Sequence, residues 1–434
     1  MAENHKQGTM EKRAITQVQP EEKQSTLSLT MIWVGGVISA PALMVGAILM
    51  GGLSLQMTLL ITLLAFGVQV AIMSLNGIEA SDTGYPLTVI LGKTFGNTGS
   101  RYILAGLITL TQGLQAAVQI GVCGGAFVAA LGAFGIPFPM WLSMILWGGI
   151  MVLTAVYGFT WMTVLNYVAV PFLVVVCVYG TIKSVGMYGG FSAVLAYEPA
   201  QQMDFVSALA IMIGIFACGT IVCTDLTRYA KDRKATVISS VLGILPAMLL
   251  IVAMGAIMSV GAGTTDLTEL FVKLNMPIIG VLALLLATWT TNTTNFYQSG
   301  LAFTRFCGAK DGKRPLLTAI IGVIATVLAV LGALDFFVPM LNAFSVMIPP
   351  IAGIMMADYW IIGKGKKENW GIIPGFNFAG IGAWIAGMAV GFFVNVFSPA
   401  FNSIVVGMIV YLILNAALKN VIPAARNPEE FIGE

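Results

Sequence analysis

The sequence predicts an all-α polytopic membrane protein of twelve transmembrane helices, ten of them in two inverted five-helix repeats and two added at the C-terminal end. Three observations predict it. Of the 434 residues, 58% are hydrophobic and only 9% charged, against about 25% charged in a soluble globular chain. Apolar segments of about 20 residues, enough to cross a bilayer core of about 30 Å, recur from residue 29 to residue 418. Segments interrupted by Gly and Pro recur at corresponding places in two halves, the sequence mark of a transporter midplane site.

The spans fall at roughly 29–52, 55–78, 102–132, 138–157, 161–184, 205–227, 235–261, 276–302, 315–334, 337–360, 378–397 and 401–418. An even count puts both termini on one side. With the N-terminus in the cytoplasm, all but two of the 21 basic residues fall inside, the exceptions being Lys183 and Lys273. The positive-inside rule therefore places both termini in the cytoplasm and the chain in a plasma membrane, the inner membrane of a bacterium. Residues 1–28 read as a polar, disordered tail without a signal-peptide pattern, and they hold the sole histidine, His5. Residues 29–204 are expected to form the first repeat and the external loop after it. The second, inverted repeat covers 205–360, the two extra helices 361–420, and a cytoplasmic tail 421–434. The outside connections 186–204 and 262–275 are longer than turns. The inside stretch 79–101 reads as a partly amphipathic helix lying along the membrane surface.

The first span carries Gly35-Gly36 and then Ser39-Ala40-Pro41; a proline at mid-span removes one hydrogen bond and clashes with the preceding turn. The third carries Gln112, Gln115 and Gln119 on one face. The fifth carries Val170-Pro171, matched by Ile348-Pro349-Pro350 in the tenth. The sixth holds Gly214 and Gly219 with small residues between them. The eighth contains Thr288-Trp289-Thr290-Thr291-Asn292-Thr293-Thr294-Asn295, in which seven of eight residues are Thr or Asn. A helix facing only lipid gains nothing from such a run; these side chains need a bundle interior, a cavity or an ion path. Spans three and eight are the most polar of their halves, so spans 1–5 and 6–10 read as the two repeats.

Ala287, Thr290 and Thr291 stand at i, i+3 and i+4, which puts a carbonyl and two hydroxyls on one face. A broken first helix frees carbonyls near Gly35 and Ile38. A compact cluster of uncharged oxygens suits Na⁺, with H⁺ as the alternative coupling ion. Threonine in a membrane helix also bonds its own i−4 carbonyl or joins helices, and a lone Thr would be read that way. Gln112 and Gln115 offer amides that read the edge of a planar, neutral, polar ligand. Phe216, at the break of span six, offers a face for stacking. Ser39 and Cys218 are small polar neighbours at the two breaks. Asn292, Asn295, Gln298, Asn342 and Asn166 read equally as ligands or as interhelical hydrogen bonds.

The chain offers no intramembrane nucleophile–base pair or metal cluster for an enzyme, and no charged ring or filter loop for a channel. Its five cysteines are odd in number and unclustered, giving neither a disulfide framework nor metal spacing. Asp225 and Arg228 read as an interfacial pair or gate; Asp335 and Asp358 lie near helix ends, and buried charge is otherwise nearly absent.

Certain motifs resemble a known family. Thr288-Trp289-Thr290-Thr291-Asn292 with Tyr297-Gln298-Ser299-Gly300-Leu301 resembles the eighth helix of bacterial cytosine permeases. Ile348-Pro349-Pro350 leading to Ala357-Asp358-Tyr359 resembles their tenth, and Thr224-Asp225 with Arg228-Tyr229 the end of their sixth. The chain is thereby similar to the nucleobase:cation symporter family, in its cytosine permease-like branch. The resemblance implies a leucine-transporter-type fold and alternating access coupled to Na⁺ or H⁺. Carried over, the family's sodium site falls on the carbonyls of Gly35, Ile38 and Ala287 and the hydroxyls of Thr290 and Thr291. Its substrate site falls on Gln112, Phe216 and Cys218. Gln115 stands where cytosine permeases carry a stacking Trp, Ala287 where they carry Asn, and Ile215 and Cys218 where they carry Ser.

The expected function is Na⁺-coupled import of a nucleobase or similar nitrogen heterocycle. The expected contacts are that small molecule and the lipid bilayer, with no nucleic acid and no obligatory protein partner. The alternatives are symport of an amino acid or other small solute on the same fold, and a membrane ligand sensor that moves nothing.

Overall fold

The computed structural model describes residues 16–157, 159–394 and 398–431. Among them, six helices are long and apolar enough to cross a membrane alone, and two bent pairs do so together. Three shorter apolar helices, Met140–Val156, Arg314–Val330 and Phe378–Phe393, and the polar helix Pro277–Phe306 occupy the remaining expected spans. His5 lies outside the described residues, as does the side chain of Asn166.

The first span is two helices, Thr26–Val37 and Ala40–Met50, bent by 52°. Ser25 starts it by accepting the Ser28 amide at 3.1 Å. Ile38 and Ser39 leave helical geometry at the break, and Pro41 has no N–H to give the Val37 carbonyl. The sixth span bends by 41° between Phe205–Gly214 and Gly219–Thr227. Asp204 caps it, accepting the amides of Val206 and Ser207 at 3.0 Å. Gly214 lets the tenth span close in: a Cβ there would collide with the Leu341 carbonyl. The tenth span breaks at Pro349–Pro350 and ends in a π-helical turn, Ala357–Ile362.

The third and eighth spans, Ala105–Ala133 and Pro277–Phe306, pack along each other through the middle of the molecule. The seventh, Arg233–Ala262, packs on both halves of the first and on the second and fifth. The last two spans pair with one another against the tenth.

Three expectations change. The segment 16–28 is not a loose tail. Val18 is buried and its amide bonds the Gly84 carbonyl at 3.0 Å; the Gln24 amide bonds Tyr229 O at 2.7 Å. Lys23 Nζ donates to the carbonyls of Ser81 and Arg228, and the helix already starts at Thr26. Main-chain carbonyls, which leave no side-chain pattern, accept all of these bonds. Within 79–101, the helix Leu87–Thr94 does not lie on the surface: every residue but Lys93 is buried. It is apolar all round, and such a helix is buried on every side. Buried charge is also more plentiful than expected. Glu79, Asp225, Arg228, Arg314 and Asp358 are all nearly inaccessible. They cluster toward span ends on the face that carries the N-terminus. There Asp225 accepts the Leu87 amide at 2.8 Å, Arg228 Nε donates to the Asp225 main-chain oxygen, and Tyr411 donates to Asp358 at 2.8 Å.

Candidate functional site

Both helix breaks face a central cavity of about 920 Å³, its open mouth included. The first span contributes Trp33, Gly36 and Ser39; the third, Gln112, Gln115 and Gln119; the sixth, Phe216, Cys218 and Gly219; the eighth, Thr291, Thr294, Asn295 and Gln298. Among the described residues no Asp, Glu, Lys, Arg or His lines it. A ligand bringing a full charge would find no opposite charge here. A neutral one with hydrogen-bonding edges would find amides.

Those amides are only partly used. Gln112 Nε2 donates to Gln298 Oε1, which braces spans three and eight across the cavity. The Gln112 and Gln119 carbonyl oxygens, both buried, have no donor, and neither does the buried Trp33 indole N–H have an acceptor. Buried polar atoms left without partners are rare and expensive, so three around one cavity mark where a ligand's own donors and acceptors would fall. Phe216 supplies the flat face. Its ring is backed by Phe66, with centroids 5.8 Å apart, and rests over Gly219, where a Cβ would overlap the ring.

Of the residues expected at the substrate, Ser39, Gln112, Gln115, Phe216 and Cys218 all line the cavity. Asn292 does not. Its amide turns to the Ala116 carbonyl at 3.0 Å and to Met151 Sδ, joining the eighth span to the third and fourth. Asn295 is on the lining, and its amide also reaches Asn292 Oδ1. Trp33 was missed, yet an indole N–H in an otherwise apolar stretch needs an acceptor from outside its own helix. Gln298 could have been ranked first among the open candidates. It stands seven residues from Thr291, so Thr291, Thr294, Asn295 and Gln298 form one helical stripe.

The residues expected at the ion lie on two spans, Gly35 and Ile38 at the break of the first and Ala287, Thr290 and Thr291 on the eighth. Thr290 and Thr291 both donate to the Ala287 carbonyl, at 2.9 and 3.0 Å. The helix Thr26–Val37 packs against the eighth span. Among the described residues no backbone amide bonds the carbonyls of Gly35 or Ile38. Of these five residues only Thr291 also lines the cavity.

Membrane spans packed around a cavity at two helix breaks define a multi-pass membrane protein with a small-molecule site, and the family it matches makes it a transporter rather than an enzyme. Residues 17–414 match the family of permeases for cytosine/purines, uracil, thiamine and allantoin, and the chain belongs to that family. It is 28% identical over 409 residues to the cytosine permease of Escherichia coli (strain K12), covering 93% of this chain and 94% of that one. Mhp1, a nucleobase-cation-symport-1 family transporter in a closed conformation with bromovinylhydantoin bound, superposes with a TM-score of 0.82 at 18% identity, covering 96% of this chain and 97% of that one. Its inward-facing conformation gives the same TM-score, covering 97% and 98%. A Na⁺-coupled sialic acid symporter in an outward-open state follows at 0.65, with 11% identity and coverage of 94% and 92%. The fold is of the leucine-transporter type, as the motifs implied.

Proposed function

We propose that the chain imports a nucleobase or closely similar neutral nitrogen heterocycle together with Na⁺, by alternating access. The observation that carries this reading is the uncharged cavity, where unpartnered amide oxygens of Gln112 and Gln119 and the Trp33 N–H surround the face of Phe216. A flat heterocycle satisfies these groups on its edges and the ring on its face. The cytosine permease and the hydantoin-bound transporter among its relatives support the same ligand class. The paired hydroxyls of Thr290 and Thr291 on the Ala287 carbonyl and the open carbonyls of Gly35 and Ile38 at the break of the first span, uncharged oxygens all, support Na⁺ rather than H⁺ as the coupled ion. On this reading both termini face the cytoplasm of a plasma membrane, as the basic residues require.

The test is uptake into sealed proteoliposomes. Radiolabelled cytosine, uracil, adenine and hydantoin would each be offered under an inward Na⁺ gradient and under K⁺ alone. Saturable uptake of one heterocycle that collapses in K⁺ is the expected result. Equal uptake with and without Na⁺ overturns the ion; uptake of amino acids but of no heterocycle overturns the substrate; ligand binding without any uptake overturns transport itself.

A further inference from the structure

On the face that carries the N-terminus, two arginines stand at helix ends that touch each other. Arg101 lies in the π-helical turn Ser100–Leu104 that opens the third span, and Arg305 in the last turn of the eighth. The Arg101 side chain reaches Gly308, three residues beyond Arg305. Arg305 is only 6% exposed. It donates to Asn97 Oδ1, but its Nε has no acceptor. Arg101 lies flat on Gly308, in space a Cβ would fill, and its Nε also has no acceptor. Among the described residues, neither takes part in a salt bridge. Desolvating two like charges and leaving N–H groups unmet is costly, and a planar guanidinium fork fits the oxygens of a phosphate.

The same residues stand at the head of a furrow on the outer surface of the bundle. Gly106, five residues beyond Arg101, and Gly113 form its floor, with Phe303 and Phe306 on one wall and Ile321 and Leu328 on the other. Phe306 directly follows Arg305 in the chain. A second apolar hollow shares Leu110, Leu114 and Leu328 with the first and extends it toward the tenth span. A soluble anion would have no use for an apolar trench below it. A molecule with an anionic head and a hydrocarbon tail uses both, and bilayers supply it; basic pockets between membrane helices bind such head groups.

We propose that this face binds an anionic phospholipid, its phosphate between Arg101 and Arg305 and an acyl chain along the Gly106–Gly113 furrow. The site is separate from the central cavity and independent of the transported solute.

The test uses the full chain, purified in detergent and stripped of lipid, with thermal unfolding as the readout. Phosphatidylglycerol, phosphatidylcholine with the same acyl chains, and inorganic phosphate would each be titrated. Phosphatidylglycerol is expected to raise the midpoint saturably, with little response to the other two. The double variant Arg101→Gln, Arg305→Gln should need about tenfold more phosphatidylglycerol for the same shift, since two charge-assisted contacts are lost. Gly113→Leu, which fills the furrow and leaves both guanidiniums, should weaken the response as well. An equal response to both lipids overturns the head-group assignment. An unchanged response in the arginine variant overturns its location, and a full response to inorganic phosphate shows a free-anion site. If the arginine variant does not fold, Gly113→Leu and the comparison of the two lipids still decide the matter.

Discussion

Gly219→Ala is the most informative single change at the cavity. The added methyl would lie 2.8 Å from Phe216 Cζ and closer still to two other ring carbons. Ordinary contact begins at 3.4 Å, so the ring must withdraw by roughly 1 Å or rotate. Phe66 is fully buried behind it and blocks a simple retreat. The ring therefore tilts into the cavity or away from stacking geometry. Losing a well-placed aromatic contact costs about 0.5–1.5 kcal/mol, or roughly two- to tenfold in Kd. Phe216→Ala should cost more, on the order of 1–3 kcal/mol if a base stacks there. Helix propensity acts in the opposite direction: Ala is favoured over Gly by about 1 kcal/mol, which offsets part of the roughly 1–3 kcal/mol cost of overpacking, so the variant should still fold. The assay is cytosine-induced thermal stabilisation in Na⁺, with the double variant Gly219→Ala, Phe216→Ala closing the cycle. The two effects should be strongly non-additive, because the methyl acts only through the ring. Parental affinity in Gly219→Ala, or full additivity with Phe216→Ala, would refute the placing of Phe216 as the stacking face.

Thr290→Ala with Thr291→Ala should leave the protein folded and abolish the dependence of ligand binding on Na⁺; a double variant that still distinguishes Na⁺ from K⁺ sinks the ion-site assignment. Asp225→Ala strands the buried Leu87 amide and should lower stability by about 1–3 kcal/mol, whereas Asp225→Asn keeps an acceptor and should recover most of it; equal melting of the two variants would show that this bond is unimportant. Asp204→Ala removes the cap of the sixth span and should cost about 0.5–1 kcal/mol at neutral pH. Bonds from Ser207, through its hydroxyl and its amide, hold the Asp204 carboxyl below its usual pKa. Its contribution is therefore complete above the unfolded value near 3.8 and is lost as pH falls through the lower folded value. The gap between wild type and variant should shrink below pH 3.8; a gap that widens in acid would contradict this.

The parts of the molecule legible in the sequence were those that the bilayer itself dictates. Spans must be long and apolar, so they announce themselves. A proline or glycine at mid-span cannot hide, and both breaks fall at the residues that mark them. Facing was legible only in part. Gln112, Gln115 and Gln119 share a face by spacing and share the cavity in space. Asn292 is one residue off the stripe of Thr291, Thr294, Asn295 and Gln298, a turn of about 100°, and that offset sends its amide to Ala116 instead. The strap at 16–25 was illegible for a different reason: the amides of Val18 and Gln24 and the side chains of Gln17 and Lys23 all donate to main-chain carbonyls, and every sequence has those. The burial of Glu79 and Asp358 was missed because nearness to a span end suggests water, whereas here neighbouring elements cover those ends.

That covered face bears on how the cavity could open. The strap, the second, sixth, seventh, tenth and twelfth spans are joined there by polar contacts. Lys23 reaches Ser81 and Arg228, Arg233 grips Asp82 at 2.6 Å, Tyr359 donates to Asp82, and Tyr411 holds Asp358. Arg233 is about half exposed, so its pair is worth less than about 1 kcal/mol, and water can replace most such bonds as they part. A closure built this way is readily reversible. On the proposed reading the N-terminal face is a gate whose closed and open states differ by only a few kcal/mol. A ligand or ion can then tip it through modest differences in contact between the two states. Lys23→Met should shift that balance toward opening, read as faster labelling by a hydrophilic thiol reagent of a cysteine placed at the cavity, as in Thr294→Cys. Unchanged labelling would mean that the strap is fixed to the scaffold and takes no part in gating.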